Sequence, residues 1–203
     1  MKQLIMEAVG TFFLASTVLL LSGNPLAIGL MFMAMIYIGG HISGGYYNPA
    51  LSFAAFMTGT LDVMKWVRYM IAQLVGAVAA AGLFYFFSGT AFGAQNDGFN
   101  VLEAMVPEVL LALVLCLVVL STLLVPRYKD SHIVGLVNGF TLSGIASFGG
   151  LAANPAIALS GVLVSLVVGA ETNLMGSVVV QIVGPFVGAA LAAVLFQYLN
   201  NRD

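Results

Sequence analysis

Two stretches decide the fold: GGYYNPALSFAAF at residues 44–56 and GGLAANPAIALSG at residues 149–161. Each passes from glycine into Asn-Pro-Ala and then into a short apolar run. Proline suits the first position of a helix, where its missing N–H would have no partner anyway and its φ is already helical. The preceding asparagine then falls at the N-cap, so Asn48-Pro49-Ala50 and Asn154-Pro155-Ala156 both read as helix starts. The apolar segments they open, roughly 48 to 58 and 154 to 166, are too short to cross a hydrocarbon core of ~30 Å, which takes ~20 residues. Re-entrant half-helices are the economical assignment, because irregular backbone at membrane depth is tolerated where it is buried or lines a cavity.

Composition points to the same solvent. Of 203 residues, 61% are hydrophobic and 7% charged, and mean hydropathy is +1.08. No soluble domain presents such a surface to water. Six apolar runs are long enough to span: roughly 4 to 22, 26 to 42, 63 to 87, 101 to 125, 132 to 148 and 173 to 199. The one cysteine, Cys116, lies within an apolar run and reads as a buried small hydrophobe.

Three anchors recur along the chain. Glu7 in EAVGTF and Glu108 in PEVLLA open the first and fourth spans; the two asparagines are 106 positions apart, from 48 to 154; and AQLVG around Gln73 matches QIVG around Gln181. The chain therefore reads as one domain, residues 1–203, made of repeat one at about 1–90 and repeat two at about 100–203. Each repeat holds three full spans, so the second inserts upside down relative to the first. The expected architecture is an all-α membrane protein with six transmembrane helices and two half-helices pointing inward from opposite sides. All six basic residues, Lys2, Lys65, Arg68, Arg127, Lys129 and Arg202, fall on one side if both termini are cytoplasmic.

Where the two half-helices meet, the chemistry can be written down. An N-cap asparagine satisfies backbone donors with its carbonyl and turns its NH₂ toward the lumen, offering two donors to a passing oxygen. Two positive helix ends at one place repel cations and leave neutral solutes unaffected. The non-helical leads supply carbonyls that replace part of a solute's hydration, with Gly44, Gly45, Tyr46, Gly150 and Ala152 as the candidates. Tyr46 and Tyr47 either line the inner vestibule or pack. Glu7 and Glu108 are intramembrane carboxylates that need donors, and the N–H groups of an irregular lead are the nearest. His41, in the HISGG lead, is expected to anchor that loop by a hydrogen bond.

With these motifs in place, the whole chain resembles the aquaporin, or major intrinsic protein, family. The resemblance rests on both Asn-Pro-Ala boxes, GGHISGGYYNPA, EAVGTF, PEVLL and the AQLVG and QIVG segments. It implies an hourglass fold, a homotetramer with one pore per subunit in a lipid bilayer, and passive conduction of water or small neutral solutes. It also implies lumen-donor roles for Asn48 and Asn154 and bracing roles for Glu7 and Glu108. The protein is expected in the plasma or inner membrane.

One departure from the family pattern matters. Members usually carry arginine directly after the second box, and here Ile157 stands there. Gapless counting from the asparagines places Ile28, Leu142 and Leu151 at the other three constriction positions, with Thr141 or Ser143 replacing Leu142 on a one-residue shift, so the expected filter is wholly aliphatic. That favours small, weakly polar neutral solutes over strict water selectivity. Alternatives are a water channel, a non-conducting structural member of the fold, and a secondary transporter. No phosphate loop, nucleophile elbow or metal-ligand spacing is present in the sequence, so neither catalysis, a cofactor nor a metal is expected. Six basic residues are too few for a nucleic-acid surface.

Overall fold

The computed structural model describes residues 1–92, 100–128, 131–148, 153–170 and 175–200. These form eight helices in the order α1 (Lys2–Leu20), α2 (Pro25–Ser43), α3 (Pro49–Met57), α4 (Val63–Ser88), α5 (Val101–Leu124), α6 (Val134–Ala146), α7 (Pro155–Val168) and α8 (Met175–Asn200). No strand occurs among the described residues. Five of the helices, α1, α2, α4, α5 and α8, are long and apolar enough to cross a membrane.

Helix starts follow capping chemistry closely. Asn24 accepts the Ala27 N–H at 3.1 Å ahead of Pro25, Asp62 accepts the Lys65 N–H at 2.8 Å, and Asn100 accepts the Leu102 N–H at 3.1 Å. The fifth expected span departs from its expected length. From 132 to 148 only Val134–Ala146, 13 residues, is α-helical, which at ~1.5 Å per residue covers about 20 Å. The turn through Ser131 and Ile133 precedes it, and at its far end the Ser147 N–H is shared between the Ser143 and Gly144 carbonyls, tightening the last turn.

Pairing between helices shows the two-fold repeat. α1 packs on α4 as α5 packs on α8, and α1 on α2 as α5 on α6. Each half-helix lies against the last helix of the other half: α3 on α8 and α7 on α4. The exchange locks the halves together, and the Gln197 side chain reinforces it by donating to the Met57 carbonyl at 3.0 Å. α2 and α6 cross closely, because a Cβ on Gly139 would stand 2.7 Å from the Gly29 carbonyl. Outward stripes stay apolar, as with Ile5, Val9 and Phe13 on α1 and Val106, Leu110 and Val114 on α5. Such faces suit hydrocarbon or another copy of the chain.

Candidate functional site

The site is built where α3 and α7 begin. Asn48 is the extended N-cap of α3, and its Oδ1 accepts the Ala50 N–H at 2.8 Å. Asn154 caps α7 in the same way, accepting the Ala156 N–H at 3.1 Å. Each amide nitrogen then crosses to the other half. Asn48 Nδ2 donates to the Ala153 carbonyl at 3.0 Å, and Asn154 Nδ2 donates to the Tyr47 carbonyl, also at 3.0 Å. One hydrogen of each NH₂ is thus engaged, and the other has no acceptor among the described residues.

The residues that offer those carbonyls are strained. Tyr47 and Ala153 have φ of 51° and 48°, in the left-handed region that side chains other than glycine seldom adopt. They are equivalent positions, immediately before the two asparagines, and the conformation turns their carbonyls toward the opposite N-cap. Strain of this kind costs about 1–3 kcal/mol per residue and persists where the surroundings over-determine it.

For Tyr47 the surroundings are visible. Its ring fills a slot made by Gly10 of α1 and Gly39 of α2, where an added Cβ would collide with the ring or hydroxyl. Its hydroxyl donates to the Met35 carbonyl at 2.8 Å. Tyr46 packs at 6.1 Å between ring centres from Tyr69 of α4. Both side chains are 2% exposed or less and are enclosed by these contacts.

Glu7 holds the first lead from below. Its Oε1 accepts from Ser43 Oγ at 2.6 Å and the Tyr46 N–H at 3.2 Å, and its Oε2 accepts from the Tyr47 N–H at 2.7 Å and Gln73 Nε2 at 2.8 Å. Four donors around one fully buried carboxylate satisfy an acceptor-only group. Ser43 and Gln73 were not assigned as partners in the sequence reading. Gln73 did stand out as a repeat anchor, and that recurrence was the available signal. Tyr69 adds a further tie, its hydroxyl donating to the Ser43 carbonyl at 2.8 Å.

Glu108, on α5, is also buried and faces α8, where a Cβ on Gly184 would stand 2.8 Å from its own Cβ. Of the second lead, only Ala153 is among the described residues; Gly150, Leu151 and Ala152 lie outside them. In the first lead Gly45 and Tyr46 are buried and Gly44 is half-buried. His41 is exposed in the last turn of α2, with no side-chain hydrogen bond among the described residues. The helix carries on past it to Ser43, and it is Ser43 that reaches the carboxylate.

The three described constriction candidates are sealed: Ile28 is 1% exposed, Leu142 2% and Ile157 0%. Pro49, Ala50, Pro155 and Ala156 are buried at the two helix starts. No group of three or more His, Cys, Asp or Glu side chains able to hold a metal occurs among the described residues.

Comparison with known proteins agrees with this architecture. The sequence profile described as Major intrinsic protein matches residues 15–196. A probable aquaporin TIP1-2 from Oryza sativa subsp. japonica is 31% identical over 182 residues, covering 86% of this chain and 69% of the relative. Aquaporin AqpM from Methanothermobacter marburgensis is 30% identical, with 99% of this chain and 98% of the relative covered. Among solved structures, the aquaglyceroporin from Plasmodium falciparum superposes with a TM-score of 0.82 at 24% identity, covering 96% of this chain and 94% of that one.

Proposed function

The chain belongs to the major intrinsic protein family, whose members are membrane channels for water or small solutes and not enzymes, and we propose that it conducts small neutral solutes passively without strict selectivity for water. The observation that carries this reading is the reciprocal pair of asparagine caps, each finished by a carbonyl of the other half. Two helix N-termini converging on one point oppose cations and protons, while the amide hydrogen on each asparagine that has no acceptor among the described residues serves a neutral oxygen or nitrogen. In this reading Asn48 and Asn154 line the conduit, and Gly44, Gly45, Tyr46, Gly150 and Ala152 contribute carbonyls. Glu7 and Glu108 brace the two leads.

Selectivity is set by Ile28, Leu142, Leu151 and Ile157. An aliphatic ring returns none of the hydrogen bonds a solute sheds, at about 1–3 kcal/mol for each one left unmade. Water and polyols lose most by that, and less hydrated solutes least. The ring also lacks the fixed cation of typical members, so cation exclusion falls to the helix ends.

The working unit is one channel domain of two repeats, about 1–90 and about 100–203, assembled as a homotetramer. Both termini face the cytoplasm, since all six basic residues then lie inside, and the membrane assigned in this reading is the plasma or inner membrane. A second reading, favoured by the near-zero exposure of Ile28, Leu142 and Ile157, is a ring that stays dry and closed in a non-conducting member of the fold.

Stopped-flow permeability of proteoliposomes to water, glycerol, urea and ammonia, for wild type and Ile157→Arg at matched protein content, separates these. We expect measurable wild-type flux of several solutes, with the arginine lowering the larger and less polar ones more than water. Strict water selectivity in the wild type, or permeability ratios untouched by the substitution, contradicts the filter. Flux no greater than in empty liposomes supports the closed reading.

A further inference from the structure

Asn138 is a buried side chain with half of its chemistry unused. It is 1% exposed. Its Nδ2 donates to Thr122 Oγ1 of α5 at 2.9 Å and to the Val134 carbonyl at 3.0 Å. Its Oδ1 has no hydrogen-bond partner among the described residues. The amide cannot be reversed at no cost, because the Val134 carbonyl only accepts and would then oppose another acceptor.

Placement around α6 says where that oxygen points. Gly135, Gly139 and Ser143 form the face against α2, where Gly135 meets Tyr37 and both Gly139 and Ser143 meet Gly29. Val134 and Val137 form the opposite flank, lining a cavity with Leu117, Val118 and Ser121 of α5. At ~100° per residue, Asn138 and Leu142 fall between these two flanks, one turn apart on the same inward face. The Nδ2 is tied toward α5 and toward the amino end of α6. With Nδ2 so engaged, Oδ1 is the amide atom left over on the inward face that Asn138 shares with Leu142.

We infer that Asn138 Oδ1 is a further solute-binding acceptor in the conduit, one helical turn from Leu142, for neutral solutes that carry an N–H or O–H donor. It rests on the channel reading and deepens it. A solute stripped by the aliphatic ring meets, about 6 Å along the helix, a buried acceptor that is otherwise left without a partner. An unsatisfied buried acceptor disfavours the empty site and so favours a donor-bearing occupant. The Val134 carbonyl is the positioning group, holding the amide so that its oxygen is the atom left over; the bond to Thr122 Oγ1 ties α6 to α5 and is not part of the site.

The test compares wild type, Asn138→Leu and Thr122→Val in proteoliposomes, with urea and glycerol as probes. Asn138→Leu is expected to lower both permeabilities about five- to tenfold, the worth of one hydrogen bond at the barrier. Thr122→Val is expected to stay within twofold, because the Val134 carbonyl still holds the amide. If both variants fall together, or if Asn138→Leu leaves permeability unchanged, the amide only ties α5 to α6 and the inference is overturned. Asn138→Cys in a Cys116→Ala background gives a second readout should leucine not fold: mercuric chloride is expected to block its flux and to spare the background protein, and the absence of block overturns the proposal. Wild-type flux over empty liposomes tests the channel reading separately, so a failure there is told apart from a failure at Asn138.

Discussion

Replacing Glu7 by glutamine changes one oxygen to an NH₂ and leaves the shape alone. Two orientations are open to the new amide. With its NH₂ at the Oε2 position it opposes the Tyr47 N–H and Gln73 Nε2, the donors at 2.7 and 2.8 Å. With its NH₂ at the Oε1 position it opposes the Ser43 hydroxyl, which can rotate to accept, and strands only the Tyr46 N–H at 3.2 Å. The second is cheaper. Its cost is one unsatisfied buried N–H, about 1–3 kcal/mol, plus the charge assistance lost from the surviving bonds, for about 2–4 kcal/mol in all. For a chain of this length, about 2–4 °C of Tm accompanies each kcal/mol, so Glu7→Gln should lower Tm by about 4–16 °C in detergent. Glu7→Ala strands all four donors and should cost more. Because Tyr47 also presents its carbonyl to Asn154, flux in proteoliposomes should fall along with stability. Thermal unfolding followed by tryptophan fluorescence and stopped-flow on the same preparations are the assays. Unchanged Tm and unchanged flux in Glu7→Gln would refute the brace and the magnitude together.

Other outcomes follow from the same geometry. Asn48→Asp and Asn154→Asp keep the cap oxygen but replace the crossing donor with an acceptor facing the Ala153 or Tyr47 carbonyl. Each should lower flux at least tenfold or prevent assembly, as read by stopped-flow and size exclusion, and wild-type behaviour in both would show that the crossing bonds are dispensable. Topology is checked with single cysteines in a Cys116→Ala background. A cysteine at Thr90 should react with an impermeant maleimide in intact cells and one at Thr60 only after permeabilisation, and the reverse pattern would invert the assignment. Gly39→Leu should unfold the first lead, since any side chain there meets the Tyr47 hydroxyl and Met6. Well-folded protein with normal flux would argue against the slot.

What could be read from the sequence divides along a physical line. The half-helices at Pro49–Met57 and Pro155–Val168 were legible because proline and an N-cap asparagine are local signals that tertiary packing seldom overrides. The inverted architecture was legible because the anchors repeat. The shortness of α6 was not, since hydropathy counts apolar residues and is blind to where the helical hydrogen bonding stops. Nor was the use of one amide hydrogen per asparagine for the opposite half, because that needs the distance between residues about a hundred positions apart. Ser43 escaped notice because a serine in a glycine-rich lead has no pattern of its own until the Glu7 carboxylate is placed beside it.

The crossed asparagine bonds also bear on how the chain is made. The partner of Asn48 is Ala153, 105 residues later, and at ~5–20 residues per second the ribosome needs about 5–20 s to reach it. Throughout that interval the first half-helix has a cap with no receiver, in a bilayer interior that offers no substitute hydrogen bond. The lead into α3 is already tied by Glu7, Ser43 and Gln73 of the first half, and the second half supplies the last partner of its cap. A nascent chain stalled before residue 149 would carry the Asn48 amide without its crossing partner. Degradation of truncated products then follows from the crossed pair itself, because neither bond exists until both halves are present.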